Sequence, residues 1–147
     1  MDKPKVYIID DSLIFRAMLE TMVLDDAAFD VIGIAARADE ALMELGWKLP
    51  DIILLDLNFR EGMSGLSFLE EIDGHWHNMH VIVVSSDARH GSDVCREAFR
   101  RGATACFDKA QVIRSGRELI ALMHDLCDHG APNHRFSRAI SLPAVSH

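Results

Sequence analysis

The chain predicts an α/β fold, a five-stranded doubly wound parallel sheet with helices on both faces. Short β-type apolar runs at 6–9, 31–35, 52–55, 81–84 and 105–107 alternate with longer amphipathic stretches. That is the pattern of buried parallel strands joined by crossover helices. A length of 147 residues, 49% of them apolar, suits one core rather than two. Finally, Asp10, Asp11 and Asp56 each follow an apolar run and Lys109 ends another. Open parallel sheets gather ligands at the carboxyl ends of their strands, so these side chains are expected to converge on one crevice.

The elements follow in order. Ser12 is the expected N-cap of the first helix, with Ile14, Met18 and Met22 at fourfold spacing on its inner face. A second helix is expected over 39–46, after which Pro50 breaks the chain before the third strand. A third helix is expected over 66–72 and a fourth over 93–101, with Gly102 as its stop. The fifth is expected over 112–127, its stripe of Val112, Leu119, Ile120, Met123, Leu126 and Cys127 packing on the sheet. Beyond Asp128 the chain turns to His, Pro and Asn without a period. Residues 1–128 therefore predict the folded domain and 129–147 a flexible tail, too short to fold alone.

Composition narrows the function classes. A net charge of −8 argues against a nucleic-acid surface, which is built from clustered Lys and Arg. No uninterrupted apolar stretch reaches the roughly 18 residues of a membrane span, and the first residues lack the apolar core of a signal peptide, so a cytoplasmic protein is expected. Cys95, Cys106 and Cys127 are odd in number and lack metal-ligand spacing. They are read as reduced core or helix residues rather than a disulfide or a zinc site.

The strand-end residues suit phosphoryl chemistry. An aspartate that attacks phosphorus meets negative phosphoryl oxygens, and neighbouring carboxylates repel them unless a divalent cation intervenes. Asp10 and Asp11 supply the charge that holds such a cation. Mg2+ fits, because it takes one or two carboxylates, keeps several waters and accepts a phosphate oxygen. Lys109 offers a compact positive charge to the phosphoryl group, and Ser85 a hydroxyl donor. Singly, each has an ordinary reading: Asp11-Ser12 as a helix cap, Asp56 and Ser85 as turn residues, Lys109 as a solvated charge. Jointly, an acid pair, an acid, a hydroxyl and a lysine at successive strand ends favour the functional one.

The segments Val-Tyr-Ile-Ile-Asp10-Asp11-Ser, Pro50-Asp-Ile-Ile-Leu-Leu-Asp56-Leu-Asn58, Val-Ile-Val-Val-Ser85-Ser86 and Gly102-Ala-Thr-Ala-Cys-Phe-Asp-Lys109 resemble the receiver domain of two-component response regulators. The resemblance covers about residues 4 to 127. It implies the flavodoxin-like strand order 2-1-3-4-5, with Asp56 phosphorylated by a sensor histidine kinase or phosphotransfer protein. It also implies that Asp11, Asp56 and the backbone carbonyl of Asn58 ligate Mg2+, with Asp10 reaching it mainly through water. Ser85 and Lys109 would bond the phosphoryl oxygens, and Asn58 and Asp87 would flank the path of the water that removes the group.

The chain departs from the family pattern at four places. The loop from Asp56 to Gly65 is one residue longer than usual and lacks its common proline. Cys106 stands where a rotating Tyr or Phe is usual, Ala110 replaces the proline after the lysine, and Ser86 takes a position often Ala or Gly. Cys106 is too small for an aromatic swing, and alternation points Phe107 to the opposite face. Readout is therefore expected to run through the loop from Ser86 to Gly91 and the helix after it.

The expected function is that of a single-domain receiver, not an enzyme on external substrates, signalling through phosphorylation-dependent contact with a downstream protein. A homodimer is compatible with this; direct nucleic-acid and membrane contacts are not expected. The alternative is an aspartate-nucleophile phosphatase acting on external phosphoesters. Such enzymes usually carry a second Asp as acid two residues after the nucleophile, where Asn58 cannot transfer a proton. A nucleotide or flavin module is disfavoured, since no Gly-rich phosphate loop follows the first strand.

Overall fold

Strands β1 (Lys5–Ile9), β2 (Asp30–Ala35), β3 (Ile52–Leu55), β4 (His80–Ser85) and β5 (Ala105–Asp108) form one sheet in the order β2-β1-β3-β4-β5. Every pair is parallel. This computed structural model describes residues 3–73, 78–86, 88 and 92–128. Trp76, Asp87, Gly91 and the expected tail over 129–147 lie outside the described residues.

The central strands are apolar throughout because both of their faces are covered. Tyr7, Ile9, Ile53, Leu55, Val81, Val83 and Cys106 face a core closed by α2 (Ala38–Lys48), α3 (Gly65–Ile72) and α4 (Asp93–Arg100). Their neighbours Val6, Ile8, Ile52, Leu54, Ile82, Val84, Ala105 and Phe107 face a second core closed by α1 (Leu13–Leu24), α5 (Lys109–Arg114) and α6 (Arg117–Asp128). Strand alternation therefore separates Cys106 from Phe107 as expected. The edge strand β2 is more exposed, and its Gly33 lies under the Tyr7 ring, where a Cβ would overlap the ring.

Three expectations need correction. The inner face of α1 is Phe15, Leu19 and Val23, whereas Ile14 is 83% exposed and Met18 and Met22 are only partly buried. Two fourfold stripes, offset by one residue, coexist in this helix. Ser12 caps the helix as expected, its Oγ accepting the Phe15 N–H, and packing on the sheet decides between the stripes, with Phe15, Leu19 and Val23 joining Val6 and Ile8 in the core. The expected fifth helix is two helices, α5 and α6, divided at Ser115 and Gly116. Ser115 is extended, and Gly116 lies against the end of the Met22 side chain, which an added Cβ would displace. Lastly, Cys95 on α4 and Cys106 on β5 are joined by a disulfide, with Cα atoms 5.9 Å apart, while Cys127 is free. Sequence spacing carried no trace of that pairing; the packing of α4 on β5 creates it.

Candidate phosphoacceptor and metal site

The site lies at the carboxyl end of the sheet. Asp10 and Asp56 follow β1 and β3, which pair as far as Ile9 and Leu55, so the chain brings the two carboxylates side by side. The Asp56 N–H donates to the Ile9 carbonyl at 2.9 Å and the Asp10 N–H to the Ala35 carbonyl at 3.0 Å, carrying the ladder to the edge of the crevice. Asp10, Asp11 and Asp56 each present a carboxylate oxygen within 4.8 Å of the others. This set is hard and anionic and spans the size of one cation, so it fits Mg2+ by donor chemistry.

The three acids differ in how the protein holds them. Asp10 is 1% exposed; its Oδ1 accepts the Ser12 N–H at 2.8 Å, and its Oδ2 is held by an ion pair with Lys109 at 2.9 Å. Asp11 is more open and accepts the Arg60 N–H at 3.2 Å. Asp56 is buried; its Oδ1 accepts the Asn58 N–H at 3.3 Å and its Oδ2 takes the Lys109 ammonium at 3.2 Å. Burial, and then the charge of Asp10, raise the Asp56 carboxyl above its ordinary value, against the pull of Lys109 and the Asn58 N–H. For Lys109, burial works to lower the value, but the bond to Asp10 and the charges of Asp56 and Asp10 outweigh it, so its proton is held more tightly than usual.

Local structure explains these positions. Lys109 is the first residue of α5, and Asp108 caps that helix by accepting the Ala110 N–H at 3.0 Å. The ammonium is thus delivered from a fixed backbone. Ser85 is fully buried at the end of β4, opposite Asp108 in the ladder, between the strand that ends at Asp56 and the one that ends at Lys109. The loop after Asp56 is fastened by the Gly65 N–H to the Leu57 carbonyl at 3.0 Å. A Cβ on Gly65 would sit 2.5 Å from the Asp56 carbonyl oxygen, so only glycine lets α3 start this close to the site.

Asp10, Asp11, Asp56 and Lys109 therefore meet as the strand-end argument expects, with Asn58 and Ser85 on the same edge. Three contributors escaped the sequence reading. The Lys109 ammonium lies over the Phe15 ring, 4.5 Å from its centroid. Arg16 donates to the Asp10 carbonyl oxygen at 2.8 Å, and Arg60 covers Asp11. Phe15 was detectable as the head of the second stripe of α1; the two arginines gave no signal, because the first turn of α1 places Arg16 and the loop after β3 places Arg60. Beside the crevice, Arg37 is bound by Asp39 and Glu61, closing a hollow of about 180 Å3 lined by Asp11, Phe59 and Arg60.

Residues 6–121 match the response regulator receiver domain family. A protein-glutamate methylesterase/protein-glutamine glutaminase of group 3 operon from Rhodopseudomonas palustris is 37% identical over 110 residues, covering 75% of this chain and 30% of that protein. The chain thus spans about a third of the length of the curated relatives it matches. Among solved structures, the response regulator domain of Thermotoga maritima CheB aligns with a TM-score of 0.72 at 26% identity, covering 82% of this chain and 95% of that one. A chain from the complex of the P1 domain of CheA3 with CheY6 of R. sphaeroides aligns with a TM-score of 0.72 at 28% identity, over 87% and 99%. Among the described residues no helix is long and apolar enough to cross a membrane. On the family match, the sheet order and the curated relatives, this chain belongs to the response regulator receiver domain family.

Proposed function

We propose that the chain is a phosphorylation-driven signalling receiver in which Asp56 accepts a phosphoryl group from a phosphohistidine donor. One observation carries this reading: the Asp56 carboxylate is buried at the sheet edge, beside two further acids and 3.2 Å from a lysine ammonium. In the transfer, an Asp56 oxygen attacks phosphorus, the P–O bond forms as the P–N bond to the donor breaks, and the imidazole leaves. Asp10, Asp11, Asp56 and the Asn58 carbonyl would hold Mg2+, directly or through water, and the metal would neutralise the oxygens of the incoming group. Lys109 exchanges its Asp56 contact for a phosphoryl oxygen, and Ser85 donates its hydroxyl to another. Because Lys109 opens α5 directly after β5, its shift is transmitted to the backbone there and to the Ser85 loop.

The donor class is a sensor histidine kinase or a phosphotransfer protein, consistent with the relative solved with a CheA3 P1 domain. The receiver module lies within residues 1–128, and output passes by protein contact. Phosphatase action on external esters is disfavoured, since Asn58 carries no transferable proton beside Asp56. Incubation with acetyl phosphate and Mg2+ tests the reading. Intact mass should rise by a single phosphoryl group, with no rise in Asp56→Asn, and a phosphomonoester panel should show no turnover. Full labelling of Asp56→Asn would remove Asp56 from its role.

A further inference from the structure

We propose that Cys95 and Cys106 form a reversible redox site whose oxidation fastens α4 to β5. Apart from that bond, α4 is a short helix with a small footprint. Of its eight residues only Cys95 and Ala98, both small, are fully buried, while Val94 and Phe99 pack against the core half-buried. Its C-terminal end is secured by the Ala103 N–H to the Ala98 carbonyl at 3.0 Å and by the turn at Gly102, whose φ of 105° requires glycine. Among the described residues, the N-terminal half has no comparable backbone tie to the chain that follows the helix. Cys95 lies in that half, and its bond to Cys106 pins it to the edge strand β5, closing a loop of 11 residues' separation.

The pair is isolated from other thiols. Cys95 and Cys106 face the core under α2, α3 and α4, while Cys127 packs against the core on the other side of the sheet, so it cannot exchange with them in the folded chain. Both paired residues are at most 3% exposed, which selects a small oxidant such as hydrogen peroxide. In the first step one thiolate attacks a peroxide oxygen; the S–O bond forms, the O–O bond breaks, and the departing hydroxide takes up the thiol proton as water. The second thiol then gives up its proton as its sulfur attacks the sulfenic sulfur; the S–S bond forms, the S–O bond breaks, and a second water leaves. Two sulfurs are oxidised and two peroxide oxygens reduced. A dithiol reverses the change by exchange through a mixed disulfide. Cys106 stands three residues before Lys109, but the redox chemistry does not depend on Asp56 being phosphorylated.

The full chain, reduced with dithiothreitol and freed of it, is titrated with hydrogen peroxide and then alkylated in denaturant. The oxidised protein should lose the mass of two hydrogen atoms and take up one alkyl group, on Cys127, where the reduced protein takes up three. Renewed dithiothreitol should restore all three. Amide exchange across Asp93–Arg100 should slow by about tenfold on oxidation, with no peroxide response in Cys106→Ala. Cys95→Ala gives the same control if that variant fails to fold. Three alkylated cysteines after peroxide, a sulfinic acid in place of the crosslink, a crosslink that dithiothreitol cannot open, or identical exchange in both forms would each overturn the proposal.

Discussion

The Lys109 ammonium and the Asp56 carboxylate meet at 3.2 Å although 53 residues separate them in the chain. Three parallel strands bring them together: β3 delivers the acid, β5 the lysine, and β4 runs between them and ends in Ser85. The same ammonium is shared with Asp10 at 2.9 Å, so the acids and the lysine form one electrostatic unit. Changing any member therefore alters the others.

Metal affinity separates the two neighbouring acids. Both oxygens of Asp10 are engaged by the protein, whereas Asp11 is more open and faces Arg60. Asp11→Ala is expected to weaken Mg2+ binding by at least about tenfold, because it deletes the carboxylate proposed as a direct ligand, and Asp10→Ala by less. Titration calorimetry on both variants measures this. Equal affinity in wild type and Asp11→Ala would contradict the ligand assignment.

Asp56→Asn is expected to stabilise the metal-free fold. The folded Asp56 carboxyl holds its proton more tightly than an unfolded one, chiefly through burial and then the Asp10 charge. Its ionised form therefore opposes folding. That cost is absent below the unfolded value and grows as pH rises through the folded value. In chelator near neutral pH the variant should melt a few degrees higher than wild type, with the gap closing in acid. Adding Mg2+ should narrow or reverse it, since only wild type keeps the full ligand set. Calorimetric melting across pH gives the answer, and a gap that widens in acid would refute the sign.

Two glycines should respond oppositely to alanine. Gly65→Ala forces a methyl group against the backbone of Asp56 and Leu57, at a cost of about 1–3 kcal/mol together with weaker Mg2+ binding. Gly46 lies within α2 with nothing near its added Cβ, so Gly46→Ala should stabilise by about 0.5–1 kcal/mol. Denaturant melts compare both with wild type. A neutral Gly65→Ala would show that the loop after Asp56 yields more than its contacts imply.

Alkylation of Cys127 should be slow in the folded chain. Burial, with added repulsion from Asp51 and Asp128, pushes this thiol up to about 11. Only the thiolate reacts, so below that value the folded side chain should label at least about tenfold more slowly than in denaturant, with a rate that climbs as pH rises. Timed iodoacetamide labelling at several pH values reads this directly. Equal rates in folded and unfolded protein would sink it.

The sequence by itself determined the sheet and the strand ends at which the acids, the serine and the lysine stand. Apolar runs such as Ile52–Leu55 can be satisfied only as strands covered on both faces, and Asp10, Asp11, Asp56, Ser85 and Lys109 stand where those strands end. Periodicity did not determine phase or long-range pairing. The two stripes of α1 look alike until the helix packs on the sheet, and only that packing sets Phe15 beneath Lys109. The break between α5 and α6 falls at the extended Ser115 and at Gly116, which lies against the Met22 side chain of the distant helix α1. The Cys95–Cys106 bond depends on how α4 lies on β5. Local sequence specifies local conformation and burial, whereas these features depend on distances between separated elements, which exist only once the chain has packed.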